Sequence, residues 1–236
     1  MRHSRWLDRL TAAAVRGVWD WARVRGRITS SNPGRYRFAH LGPGAALSFP
    51  LGALYNERYM AIGEGTLVGE GVSLAVGWPG EDFGEDIVIR IGRGCSIGRG
   101  SHIVAHLRID IGDDVFFGPY VYVTDQNHGY TALDTPIGRQ DAEDKAVTIG
   151  DGCWLGVGSV ILPGTTLGRN VAVAAGAVVR GSFPDHCLIG GVPARILRRH
   201  HVDDGWHAGD VWPAGEPGWP RAGDPGGAAG HGVSSL

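Results

Sequence analysis

The sequence predicts an all-β domain wound as a parallel β-helix, in which turns of six residues stack into a triangular prism. Three observations predict it. Aliphatic residues recur in six-residue phase, as in Ile91, Ile97 and Ile103, and again in Ile149, Leu155, Ile161, Leu167, Val173 and Val179. A glycine follows many of them, as in Ile62-Gly63, Val68-Gly69, Ile111-Gly112 and Leu167-Gly168. A small residue stands four places after the aliphatic one, at Cys95, Cys153, Thr165 and Ala177, where bulk would crowd the prism. A helix repeats near 3.6 residues and a simple strand near 2, so neither ordinary period accounts for this phase. Three hexads close one coil of about 18 residues, and stacking the coils creates the interior that a single coil lacks.

The elements follow in chain order. Residues 1–45 read as a basic amphipathic helix and linker: nine arginines face only Asp8 and Asp20 up to position 37, and Trp6, Leu7, Leu10, Ala14, Val18 and Trp21 fall about one helical turn apart. Three uses fit such a helix, namely packing on the end or flank of the main domain, adsorption to an anionic membrane surface, and a nucleic-acid arm. Residues 46–190 form the β-helix, its rhythm starting at Ile62 and leaving room for roughly five coils. A loop over 124–148 interrupts it. Residues 191–200 are expected to leave as a short C-terminal helix, and 201–236 as a Gly- and Pro-rich tail largely without secondary structure, in which Trp206, Trp212 and Trp219 suggest local packing.

Composition narrows the function classes. A formal net charge of −2 over 236 residues offers no dense basic field, so no nucleic-acid partner is expected. Three well-separated cysteines without a CxxC pair suggest neither a disulfide framework nor a thiolate metal site, and Cys153 reads as structural. Neither a signal peptide nor a spanning segment is legible, and a cytoplasmic location fits, with the inner membrane face as a place of association.

The stretch IGDGCWLGVGSVILPGTTLGRNVAVAAGAVV, followed by IGGVPARILR, resembles the last coils and exit of the bacterial hexapeptide-repeat acyltransferases. The likeness covers about residues 60–198 and is greatest toward sugar O-acetyltransferases of the maltose, galactoside and nodulation type. It implies a left-handed β-helix, a homotrimer, acetyl-CoA or another acyl-CoA as cosubstrate, and a sugar or glycan hydroxyl as acceptor. Handedness comes from the resemblance alone, since right-handed crossovers are the general rule.

The 124–148 loop opens with Asp125-Gln126-Asn127-His128-Gly129-Tyr130, the densest polar cluster of the chain. His128 stands where the family carries its catalytic histidine, and an imidazole with an unperturbed pKa of about 6.5 suits a general base at neutral pH. Asn127 and Asp125 are candidates to orient it or bind the acceptor, with turn formation as the other reading of both. Tyr130 is placed to stack on the acceptor or close the loop. His102, His106 and Arg108 stand where the galactoside and maltose enzymes carry an Asn-rich, then acidic stretch, and are expected at the acceptor. By the same resemblance Gly158, Ala174, Pro193, Arg195 and Arg198 are the cosubstrate-binding positions, the glycine and alanine admitting the pantetheine arm and the arginines meeting phosphate. Trp154 is expected to point outward, either packing on a neighbouring subunit or lining the groove.

Other function classes fit the residues less well. A nucleotidyltransferase would need a preceding domain or Gly-rich phosphate loop, which the sequence lacks. A γ-class carbonic-anhydrase-like enzyme would need three histidines on zinc, for which His102, His106 and His128 are the available set; no metal is expected. A noncatalytic scaffold or binding protein shares the periodicity, which specifies a fold more strongly than a reaction.

Overall fold

The computed structural model describes residues 2–208, so Trp212 and Trp219 lie outside the described residues. Helix α1 (Arg2–Arg25) leads into a solenoid of short strands. Among the described residues six complete coils, beginning at His40, Met60, Ile89, Ile109, Val147 and Thr166, each visit three flat faces, and a partial seventh coil starts at Ser182. Face I stacks Ala46–Leu47, Leu67–Val68, Ser96–Ile97, Phe116–Phe117, Trp154–Leu155, Ala172–Val173 and Cys187–Gly191. Face II stacks Leu54–Tyr55, Ser73–Val76, His102–Ala105, Tyr122–Thr124, Val160–Ile161 and Val178–Val179. Face III begins at His40–Leu41 and ends at Ser182–Phe183. Within all three faces the coil-to-coil pairing is parallel.

The inward residues form three continuous ladders. Face I presents Leu47, Val68, Ile97, Phe117, Leu155, Val173 and Ile189; face II presents Leu74, Ile103, Val123, Ile161 and Val179; face III presents Ile62, Ile91, Ile111, Ile149 and Leu167, and all of these are buried. The small residues expected at the corners are buried as well: Cys95, Cys153, Thr165 and Ala177. Burial pushes the Cys153 thiol up to about 11, which suits packing and not nucleophilic attack. The glycine after each aliphatic residue is explained by coil spacing, because a Cβ at Gly92 would collide with the carbonyl of Gly112 in the next coil.

Two expectations need correction. The first coil begins at His40, before the expected boundary at 46, because His40 and Leu41 pair with Ala61 and Ile62. The exit is not a helix: Ala194–His201 is a strand that runs antiparallel to Cys187–Gly191, and Gly205–Ala208, with Trp206, pairs antiparallel to it in turn. The reason lies in the end of the stack, where the last strand of face I offers unpaired N–H and C=O groups and the exit segment satisfies them.

Candidate active site

The hexad rhythm breaks at one place in three successive coils, the edge where the chain turns from face II to face III. Residues 77–88 form the break in one coil, 106–108 in the next, and 125–146 in the third. The third break folds into a hairpin. Gln126–His128 pairs antiparallel with Ala142–Asp144, with Gln126 opposite Asp144, Asn127 opposite Glu143 and His128 opposite Ala142. The tip is tied by Gln140, whose side chain accepts from the Ala132 amide (3.1 Å) and donates to the carbonyls of Ala132 (3.0 Å) and Thr135 (2.8 Å). A hairpin projecting from a rigid wall is well suited to carry functional groups.

Asp125 anchors the base of that hairpin. It is fully buried, and its carboxylate accepts the amides of His106 (2.8 Å), Leu107 (2.9 Å) and Arg108 (2.6 Å) in the coil before. Burial raises its pKa while the three amides pull the other way. Its hydrogen bonds thus go to the backbone of the preceding coil, not to an imidazole. His128 itself is exposed on the hairpin, as are Asn127 and, at 76% exposure, Tyr130.

His106 departs furthest from expectation. Its Nδ1 lies 2.6 Å from Asp144 Oδ2 and its Nε2 3.0 Å from Glu81 Oε1, so both ring nitrogens are occupied by carboxylates and neither is offered to an acceptor or a metal. Phe83 meets the ring edge-on at 5.6 Å between centroids. Glu81, His106 and Asp144 come from the three successive breaks, so the imidazole staples one corner of three coils together. The hydrogen bond to Asp144, and then that to Glu81, raises the His106 pKa; Glu81 is held low by the Trp78 amide and by His106. Glu81, Phe83 and Asp144 were not singled out from sequence, although the repeated interruption at one phase of the hexad marked their place.

The remaining candidates spread over other surfaces. His102 points outward on face II with its ring 6.4 Å from that of Tyr122. Arg108 pairs with Asp110 at 2.5 Å on face III. Gly158 occupies the edge between faces I and II with φ +67, and Ala174 follows the next coil's face I strand, where it abuts Gly190. Arg195 stands opposite Gly190 and Arg198 opposite Leu188, so the two guanidinium groups share the outer side of the exit strand, while Pro193 lies in the turn before it. Arg198 lies over the Trp206 ring at 5.9 Å. Trp154 points outward, as expected, and is 54% exposed. Among the described residues no group of three or more His, Cys, Asp or Glu converges on a metal site.

The His106 staple has a pH signature. A histidine whose folded pKa is raised contributes stability that is complete below its unfolded value near 6.5 and is lost as pH rises through the folded pKa. His106→Gln is therefore expected to lower the melting temperature more at about pH 6 than at about pH 9, measured by thermal denaturation across that range; an equal loss at every pH would contradict the charged staple.

Comparison with known proteins now places the chain. The family model described as bacterial transferase hexapeptide (six repeats) matches residues 146–181, the last uninterrupted coils. A putative lipopolysaccharide biosynthesis O-acetyl transferase, WbbJ of Escherichia coli K12, is 33% identical over 140 residues, covering 56% of this chain and 71% of that protein. The galactoside O-acetyltransferase of the same organism is 29% identical over 181 residues, covering 75% and 78%. Among solved structures, the N-acyltransferase AntD of Bacillus cereus, in complex with dTDP and 3-hydroxybutyryl-CoA, superposes with a TM-score of 0.57 at 19% identity over 68% of this chain and 82% of that one, a likeness of fold. Six-residue periodicity, three parallel faces and these matches together establish that the chain belongs to the hexapeptide-repeat, left-handed β-helix transferase family.

Proposed function

We propose that the chain transfers an acyl group, with acetyl preferred, from acyl-CoA to a hydroxyl of a sugar or glycan, using His128 as general base. The chain is an acyltransferase by family; the observation that carries the residue assignment is the hairpin, which raises an exposed imidazole from a base locked by Asp125 and His106. A ring nitrogen of His128 takes the proton as the acceptor oxygen forms a bond to the thioester carbonyl carbon. The C–S bond then breaks, and the imidazolium returns the proton to the leaving thiolate, giving ester and free CoA without an acyl-enzyme. The relatives' names, one an O-acetyl transferase of lipopolysaccharide biosynthesis and the other a galactoside O-acetyltransferase, support a carbohydrate hydroxyl here. Tyr130 and His102 are the proposed acceptor contacts, with Asn127 on the opposite side of the hairpin from His128.

The cosubstrate is proposed to lie along Gly158, Ala174, Pro193, Arg195 and Arg198. These residues gather at face I and the edge between faces I and II, whereas His128 rises from the edge between faces II and III. One chain thus holds the two half-sites on different edges, and a neighbouring copy is needed to bring its own I/II edge to this hairpin. A homotrimer supplies that arrangement. The outward ladder of face I supports it, since Leu67, Phe116 and Trp154 are each more than half exposed, while face III presents Arg90, Asp110, Thr148 and Thr166.

Helix α1 is proposed to rest on an anionic membrane surface. It touches the solenoid through Trp19 against Phe49 and through an Arg23–Glu70 ion pair, but leaves Trp6, Leu10, Val18, Trp21 and Val24 at least half exposed. Residues 1–37 carry +7, from nine arginines and two aspartates, so the rest of the chain carries −9 within the total of −2. Attraction to anionic lipid is therefore confined to this end. No described helix is long and apolar enough to cross a membrane. Acyl-CoA supply and three free buried cysteines favour the cytoplasmic side.

His128→Ala is expected to lower CoA-thiol release from acetyl-CoA with carbohydrate acceptors by at least about 100-fold while leaving the fold and CoA binding intact; unchanged turnover would remove the base. Light scattering is expected to give three times the chain mass, and Trp154→Asp to lower it; a parent protein that is a monomer contradicts the shared site. In co-sedimentation, vesicles with phosphatidylglycerol should retain the protein and pure phosphatidylcholine vesicles should not, with retention lost on Trp6→Glu/Trp21→Glu substitution; equal retention of that double variant would refute the helix as the contact.

A further inference from the structure

The reading of His128 as base leaves open what orients its ring, and the hairpin register answers that question. Residues directly opposite one another on an antiparallel pair share a face, and the face alternates along each strand. Gln126, His128, Ala142 and Asp144 therefore project to one side, while Asn127 and Glu143 project to the other. Asp144 is the diagonal neighbour of His128 on that side. Such neighbours lie about 7–8 Å apart, somewhat less between Cβ atoms, a span that an aspartate and an imidazole extended toward each other close to hydrogen-bond distance.

Asp144 is also prepared for the contact. Its Oδ2 is held at 2.6 Å by His106 Nδ1, which fixes the carboxylate plane. Its Oδ1 is shielded from solvent and has no hydrogen-bond partner among the described residues. A shielded carboxylate oxygen without a donor is costly, and the exposed His128 on the same side of the hairpin carries an N–H on a ring that can rotate about χ1 and χ2. Asp125 cannot serve, because three backbone amides use its carboxylate. Asn127 projects to the wrong side.

We propose that Asp144 is the positioning residue that accepts the Nδ1–H of His128, and that His106 is the brace that holds Asp144 in place for it. The Nε2 lone pair of His128 is then directed at the acceptor hydroxyl, and the carboxylate stabilises the imidazolium formed when the proton arrives. The charged and titratable groups around the pair are Glu81 from the break two coils earlier, His106 from the coil before, buried Asp125 at the hairpin base, and Glu143 and Lys145 on the returning strand, where they pair with each other at 3.4 Å. His106 as a cation offsets part of the charge of Asp144 and Glu81, so the carboxylate can orient His128 without locking it in the protonated form.

The proposal rests on His128 as base, and the experiment separates the two. Asp144→Asn in the full chain is expected to reduce kcat at least about tenfold with KM for both substrates nearly unchanged, and to move the acidic limb of the kcat/KM profile to lower pH, since the imidazole loses its anionic partner. His106→Gln should give a smaller loss of the same kind, and Glu143→Gln, on the opposite side of the hairpin, should leave kcat and the profile unchanged. If His128→Ala is inactive while Asp144→Asn keeps the parental kcat and pH profile, Asp144 is not the orienting group and the base stands. If His128→Ala remains active, the base itself falls. Should Asp144→Asn fail to fold, the 15N shifts of the His128 ring in the parent protein decide: neutral imidazole protonated at Nδ1 supports the contact, and protonation at Nε2 overturns it.

Discussion

Everything in this molecule depends on keeping successive coils in register. Each hexad contributes one inward aliphatic side chain, one corner and two short runs of backbone hydrogen bonds, none of which is stable alone. Stability arises only when Leu155 sits over Val173 and under Phe117, when Ile149 sits over Leu167, and when Ile161 sits over Val179. The same requirement dictates glycine at positions such as Gly92, where the next coil passes too close for a side chain, and small buried groups at Cys95, Cys153 and Thr165. Position in the hexad decides residue type more strongly than local propensity does.

Chemistry is built where this requirement is relaxed. The edge between faces II and III admits insertions because they leave the prism without disturbing either ladder, and three consecutive coils use it. Their side chains are then knitted back into the wall by buried or half-buried charge: Asp125 through three amides, His106 through two carboxylates. A loop that would otherwise be mobile gains a defined base, and the exposed imidazole at its outer pair inherits that definition. The polar network costs desolvation, visible in the raised pKa of Asp125, and is sustained by the number of hydrogen bonds it makes.

Much of the fold was legible because the six-residue phase is long and leaves few alternatives. The hexads from Ile149 to Val179 predicted inward residues that are all buried. The first coil was less visible: Leu41 and Leu47 keep the phase, but the seven-residue step to Leu54 breaks it before a reader can trust it. The exit segment misled because ARILRR has good helix formers, whereas the unpaired edge beside Cys187–Gly191 decided for a strand. At the site, His128 could be located from its neighbours in sequence, but Glu81 and Asp144 could not. They are 25 and 38 residues from His106, and only the stacking of coils makes them neighbours.

The two ends of face I are closed in the same way. Ile28–Thr29 runs antiparallel to Ala46–Leu47 at one end, and Ala194–His201 runs antiparallel to Cys187–Gly191 at the other. A β-helix with naked ends would display a repeating parallel template at top and bottom, and identical molecules could add to one another without limit. Reversing the chain direction at both ends of face I removes the matching template there, which disfavours the end-to-end addition of a further copy along that face.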